Sequence, residues 1–187
     1  MPTQIRLAQP ADAPGMGQVM VDTWLTAHRG QVLEGQWQRR REEWSYADSE
    51  RSWRSLLAEI ADGSNTQDCV YVAVSDEGEV VGVAVGCPAD LDLLPDAAEV
   101  SAIYVRPAQQ GQGLGRRLVQ AIAAHQANLG RQALMISVLT TNAPARRFYE
   151  ALGGQLIGTR QTEDYGFPEP QVVYGWPDIR ELACMLD

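Results

Sequence analysis

The chain has 187 residues, 45% of them hydrophobic and 21% charged, which fits one globular domain with a sizeable core and leaves little room for two. Its 15 basic residues face 24 acidic ones, a formal net charge of −9, so neither nucleic acid nor a membrane surface is an expected partner, and a cationic one is easier to accommodate. All 15 basic residues are arginine, which excludes a phosphate-loop lysine, a Schiff-base lysine and a lysine nucleophile.

Met1 to Pro10 carries no apolar stretch of signal-peptide type, and no run approaches the roughly 18 apolar residues of a membrane span, so a cytoplasmic protein is expected. Gln4 to Ala8 alternates polar and apolar residues like a half-buried strand, and Asp12 then offers a helix N-cap. Met16, Val19, Met20, Trp24 and Ala27 fall on one helical face, with Gly30 as the stop. Gln36 to Tyr46 is polar and has no clear period. Trp53, Leu56, Leu57 and Ile60 resume the helical spacing after the cap candidates Asp48 and Ser49.

Beyond Gly63 the period becomes extended. Cys69 to Val74 and Val80 to Gly86, joined by Asp76-Glu77-Gly78, read as an antiparallel hairpin. A loop with Pro88 and Pro95 carries Asp90, Asp92 and Asp96. Glu99 to Val105 reads as a strand ending at Arg106-Pro107, and the next helix opens in Gly111-Gln112-Gly113-Leu114-Gly115 and runs to Gly130. Ala133 to Leu139 is a further strand, and Asn142 caps a short helix to Leu152 with Pro144 in its first turn. Strands near Gln155 to Arg160 and Gln171 to Trp176 complete a single α/β domain with a mixed sheet. Cys69, Cys87 and Cys184 are too few and too far apart for a disulfide framework or a paired-cysteine zinc site, and no metal is expected.

A strand, a glycine turn and a helix N-terminus present unsatisfied N–H groups and a positive dipole end to an anion. The same pattern also serves tight packing. The spacing G-x-G-x-G, with no carboxylate after the next strand, departs from a dinucleotide fingerprint, and the absence of lysine removes a Walker loop. A phosphate-bearing cofactor held by backbone amides, with Arg116 and Arg117 at hand, is the remaining ligand class.

Gln110-Gly111-Gln112-Gly113-Leu114-Gly115, following Ile103-Tyr104-Val105-Arg106-Pro107, resembles the Q/R-x-x-G-x-G/A signature of the GNAT superfamily of acetyl-CoA-dependent N-acetyltransferases. Asn142-Ala143-Pro144-Ala145-Arg146-Arg147-Phe148-Tyr149-Glu150-Ala151-Leu152-Gly153-Gly154 is similar to that family's second cofactor-contacting segment. The resemblance covers the element order from Cys69 to about Trp176 and matches the N-terminal third in outline. It implies an α/β (α+β) fold with a mixed, mostly antiparallel twisted sheet flanked by helices. One acetyltransferase domain then spans 1–187: a helical acceptor-side region at 1–66, an acetyl-CoA-binding core at 67–176 and a tail at 177–187.

By that resemblance acetyl-CoA is the co-substrate, its pyrophosphate held by the stretch from Gln110 through Gly111, Gln112, Gly113, Leu114 and Gly115 to Arg116, with Asn142 near it. Ile103, Tyr104 and Val105 pair with the pantetheine arm, and the Val105 N–H receives the acetyl oxygen. Tyr149 is the implied acid for the leaving thiolate; from pattern alone it is equally a core aromatic. Glu99 is the implied base, acting through water, and otherwise a carboxylate at a strand end, since Ser137 stands where some relatives carry a glutamate. Asn142 reads both as helix cap and as cofactor contact.

The acceptor side, on the same resemblance, holds Trp24, Trp37, Trp44, Tyr46, Tyr165 and Phe167, of which Trp37 and Trp44 have no core explanation. Asp90, Asp92, Asp96, Glu99, Glu163, Asp164 and Glu169 fall in segments flanking it. A cationic small amine or a peptide amine is the expected acceptor, Arg39-Arg40-Arg41 reads as a solvated helix face, and a monomer or homodimer is expected. The alternative is a regulatory module that binds acyl-CoA without turnover.

Overall fold

The computed structural model describes residues 3–183, so that Cys184 lies outside the described residues. Runs of β-branched residues at Cys69–Val74 (β2) and Val80–Pro88 (β3) form the antiparallel hairpin that the sequence predicts. Both strands are apolar at successive positions because both faces are covered. Cys69, Ala73, Val81 and Ala84 face one core cluster, while Val70, Val72, Val80, Val83 and Val85 face another.

With Gln4–Leu7 (β1), Ala97–Val105 (β4), Ala133–Leu139 (β5), Gln155–Asp164 (β6) and Phe167–Trp176 (β7), they make one seven-stranded sheet in the order β1-β2-β3-β4-β5-β7-β6. Among the described residues only the β4–β5 pair is parallel.

Helix α4, Leu114–Asn128, packs Leu118, Val119, Ile122 and Ala123 against one face of the sheet. Burying Leu118 and Ile122 completely is worth about 2 kcal/mol each, and the helix approaches so closely that a Cβ on Gly86 of β3 would lie 2.5 Å from Ile122 Cγ2. The opposite face receives Ala13–Ala27 (α1) and Tyr46–Ala61 (α3) through Met16, Val19, Trp53 and Leu57. Ala143–Ala151 (α5) follows β5.

Of the tail, Ile179–Ala183 forms a short α6 whose Ile179 and Leu182 join the α4 core on its own domain. No helix among the described residues is long and apolar enough to cross a membrane.

Four features differ from the sequence reading. Glu34–Glu43 is a helix, α2, although only Gln36 in it is buried. Helix α3 starts a turn earlier than Asp48: Ser45 is its cap, its Oγ accepting the Asp48 N–H at 3.1 Å, while Asp48 answers as the third residue of a capping box. Asp12 does not cap α1 with its side chain, which instead accepts from the Gln9 N–H at 2.7 Å and from the fork of Arg6. Strands β6 and β7 also run on past Arg160 and before Gln171 as a continuous hairpin, turning at Tyr165-Gly166.

Candidate active site

The parallel β4–β5 ladder is short, pairing Ala97 with Ala133 through Glu99 with Met135 and then stopping. Just beyond, β4 is bulged: Val85 faces Ala102 and Gly86 faces Val100, leaving Ser101 as the extra residue. The two strands splay from this point, and a cleft of about 820 Å³ opens between Val100–Val105 on one side and Ile136–Leu139 on the other. The Arg106 N–H bonds the Val81 carbonyl at 2.9 Å. Strand alternation therefore turns the N–H groups of Val105 and Ile103 away from β3 and into the gap. Val105 supplies only its N–H there, because its carbonyl accepts from Gln110 Nε2 at 2.9 Å.

At one end of the cleft the chain makes two left-handed turns, at Gly111 with φ 75° and at Gly113 with φ 78°. That backbone region is costly for residues with a Cβ. Gly113 is the N-cap of α4 and brings no side chain to it, and the first N–H of the helix to find an internal partner is that of Arg117, bonded to Gly113 O at 3.1 Å. The N–H groups of Leu114, Gly115 and Arg116 are thus left for an anion. Gly115 packs under Phe148, whose Cζ would meet a Cβ there at 3.1 Å. Among the described residues no group of three or more His, Cys, Asp or Glu could hold a metal ion.

Tyr149 lies on the cleft wall from α5, only 5% exposed, between Phe148 at 5.2 Å and Tyr174 at 6.0 Å between ring centroids. Burial, with Tyr104 nearby, drives its phenol pKa far upward, so it is a neutral O–H donor throughout the physiological range. Tyr104, also on the wall, is pushed by burial to about 12. Asn142 combines both of its readings, lining the cleft while its Oδ1 accepts the Ala145 N–H at 3.1 Å as the cap of α5. Arg146 is engaged by the Thr140 carbonyl and the Tyr174 hydroxyl, and Arg147 is exposed.

The cleft therefore gathers Ile103, Tyr104, Val105, Gln110, Gly111, Gly113, Leu114, Gly115, Arg116, Asn142 and Tyr149. Two expected residues lie off its wall. Gln112 is exposed and turns its side chain back to the Ala108 carbonyl at 3.4 Å. Glu99 lines an adjoining cavity of about 320 Å³, which shares Ser101, Ser137 and Gln171 with the main cleft. There Glu99 Oε1 accepts from Ser137 Oγ at 3.1 Å and pairs with Arg160 at 3.3 Å, while Arg160 also forks Asp90 at 2.6 and 3.0 Å. Burial raises the Glu99 pKa, and Arg160 and Ser137 only partly offset it. Cys87 opens on the same cavity, but burial raises its thiol pKa, the wrong direction for a nucleophile.

Of the aromatic candidates, Trp24 lines the cleft, stacked on His28 at 4.7 Å. Trp37 and Trp44 do not line it. They stack on arginines of α2 instead, Trp37 against Arg41 and Trp44 against Arg40, and Tyr165 closes on Arg40 from the β6–β7 turn. Arg40 is accordingly not solvated but bidentate to Asp164 at 2.7 and 3.0 Å. Of the seven acidic candidates only Glu169 reaches the main cleft.

The sequence reading missed His28, Thr23 and Gln31 on the cleft wall. His28 Nδ1–H donates to the Trp24 carbonyl at 3.0 Å, and burial lowers its pKa, keeping the ring neutral. A polar residue at a helix end carries no periodic signal that would have singled it out.

The model of the acetyltransferase (GNAT) family matches residues 31–154. The chain is 26% identical over 183 residues, 98% of each protein, to YuaI, an uncharacterized N-acetyltransferase of Bacillus subtilis. It is 28% identical over 119 residues, 64% of this chain and 72% of the relative, to YjaB, a peptidyl-lysine N-acetyltransferase of Salmonella typhimurium. In fold it is similar to the PaiA N-acetyltransferase of Thermoplasma acidophilum solved in complex with coenzyme A. That similarity has a TM-score of 0.66 at 18% identity and covers 94% of this chain and 98% of the other.

Proposed function

The chain belongs to the acetyltransferase (GNAT) family, and from that premise we propose that it is an N-acetyltransferase moving an acetyl group from acetyl-CoA directly to an amine bound in the same cleft. The observation that carries the reading is the coincidence, around one cleft, of a helix N-terminus without a side-chain cap, two strand N–H groups turned into a gap and a buried phenol. Residues 67–176 are proposed as the acetyl-CoA-binding core and 1–66 as the acceptor side, supported by Thr23, Trp24, His28 and Gln31 in the cleft lining.

In this reading the amides from Gly111 to Arg116 receive the pyrophosphate, and Ile103 and Val105 hold the pantetheine arm as a neighbouring strand would. The Val105 N–H meets the acetyl oxygen as negative charge develops there, an interaction worth roughly 3 kcal/mol in a preorganised site. An alkyl amine with a pKa about 10 arrives protonated. Its proton passes to Glu99 through water or the Ser137 hydroxyl, which donates to Glu99 and borders both cavities. The neutral nitrogen forms the new C–N bond and its second proton leaves to solvent as the C–S bond breaks, Tyr149 gives its proton to the leaving sulfur and regains one from solvent, and Glu99 releases the proton it took. The balance is one ammonium and one thioester giving one amide, one thiol and one released proton.

The acceptor is proposed to be a cationic small amine or a peptide amine, which suits a chain with net charge −9. The test is an assay of acetyl-CoA against a broad amine panel, reading thiol release. We expect thiol release that depends on the amine, with the acetyl mass recovered on it; amine-independent release, or none, overturns the proposal.

A further inference from the structure

The acceptor half of the cleft has an unusual charge arrangement. Glu169, on β7, is half-buried on its wall. Its Oε1 accepts from Gln36 Nε2 at 2.6 Å and its Oε2 from Thr162 Oγ1 at 3.5 Å. Both donors are neutral, and among the described residues Glu169 is in no ion pair. The arginines that could serve it are committed elsewhere, Arg40 to Asp164 and Arg160 to Asp90 and Glu99. Burial and the neighbouring Asp164 raise the Glu169 pKa, against the opposing effects of Gln36, Arg40 and Thr162. The carboxylate therefore gains from a cation brought to it.

No formal cation balances it there: among the described residues the one arginine lining the main cleft is Arg116, at the glycine-loop end. Tyr104, which feels the Glu169 charge, and Trp24 line the same cleft and offer apolar and cation–π faces. Thr23 Oγ1 and Gln31 Oε1, from residues that line the cleft, are buried without a partner, so two polar groups are unsatisfied. A ligand with an ammonium and an apolar or hydroxylated body fits this lining, whereas a carboxylate on the carbon bearing the amine would face Glu169 with no compensating cation.

We propose that the acceptor is a primary alkyl or arylalkyl amine without an α-carboxylate, and that Glu169 selects it by pairing with its ammonium. The inference rests on the acetyltransferase reading and narrows its acceptor class. It also assigns Glu169 a role in specificity separate from the proton transfer proposed for Glu99.

The experiment compares matched pairs as acceptors, tyramine against tyrosine and isoamylamine against leucine, in wild type, Glu169→Gln and Glu169→Asp, with acetyl-CoA affinity measured separately. The amine of each pair should exceed its amino acid at least 100-fold in kcat/KM. Glu169→Gln should lower kcat/KM for the amine at least 10-fold, mainly through KM, and shrink that preference, while acetyl-CoA affinity stays unchanged. Glu169→Asp, which keeps the charge, should retain most of the preference. Amino acids used as well as amines, a preference untouched by Glu169→Gln, or a protein that acetylates other amines but neither member of any pair overturns the inference and leaves the acetyltransferase reading standing. Absence of acetyl-CoA binding, or of transfer to any amine, overturns that reading as well.

Discussion

Two side chains divide the proton work proposed for this cleft, and their surroundings push both toward the neutral form. For Tyr149 that is useful, because a phenol held neutral by burial keeps a proton to give. Tyr149→Phe keeps the ring and its packing, so acetyl-CoA affinity should hold while kcat falls about 100-fold, within the range typical of general acids. Unchanged turnover would remove Tyr149 from the chemistry, and a chain that binds acyl-CoA without turnover would have no rate to lose. For Glu99 the sign runs the other way. A base works only when ionised, and burial has raised its pKa. The acid limb of kcat/KM should therefore lie above the ordinary carboxylate range, with activity lost as pH falls through it. Arg160 holds that pKa down, so Arg160→Gln should move the limb to higher pH, and an unmoved limb would count against Glu99 as the base. The same shift means that ionising Glu99 costs folding stability as pH rises through its folded value, and the substitution enlarges that loss. The glycine loop and Tyr149 were legible in the sequence because both sit in short local motifs. Glu99 was legible as a residue but not as a neighbour of Arg160, a contact made across 61 positions of sequence.

At the scale of elements, what a periodic pattern could reveal depended on whether the element packs through an apolar face. Strands β2 and β5 run as the sequence predicts, from Cys69 to Val74 and from Ala133 to Leu139, because their apolar runs are buried between layers. Helix α2 had no such stripe to read. It is tied down by polar contacts, Gln36 to Glu169 and Asp164, and Arg40 to Asp164 among the rings of Trp24, Trp44 and Tyr165, all but Trp24 and Trp44 more than 120 positions away. The β6–β7 hairpin was read short for a related reason. Pro168 and Pro170 argue against a central strand, yet the β5 ladder stops opposite Gln171, and beyond it β7 accepts from Thr140 at the Pro170 carbonyl while its ladder runs with β6, a setting that tolerates missing donors. Arg40→Ala removes a charged, bidentate pair worth about 2 kcal/mol. Hydrogen exchange should then accelerate roughly 30-fold across 34–43. Protection of β2 to β5 should persist, because no residue of α2 belongs to the core clusters. Equal loss of protection in both regions would show that α2 is part of the global folding unit.

For the whole molecule the absence of lysine, at first an exclusion of several chemistries, has a consequence of its own in an acetyl-CoA-dependent enzyme. A protein that concentrates a thioester beside a base risks acylating its own neutral amines, and surface lysines are the usual acceptors because a small fraction of each is unprotonated near neutral pH. Arginine carries positive charge without that hazard, since its guanidinium stays protonated. Here every cationic side chain in the acceptor half is an arginine: Arg40 held among rings by Asp164, and Arg160 between Asp90 and Glu99. Neither could be lysine without losing its fork. The described thiols offer little alternative, since burial raises the pKa of half-buried Cys87 and lifts that of buried Cys69 to about 11. Prolonged incubation of the untagged chain with acetyl-CoA should therefore add at most one hydroxylamine-stable acetyl group by intact mass, on the α-amino nitrogen. Two or more such additions would require transfer to side chains other than amines, and would overturn this expectation.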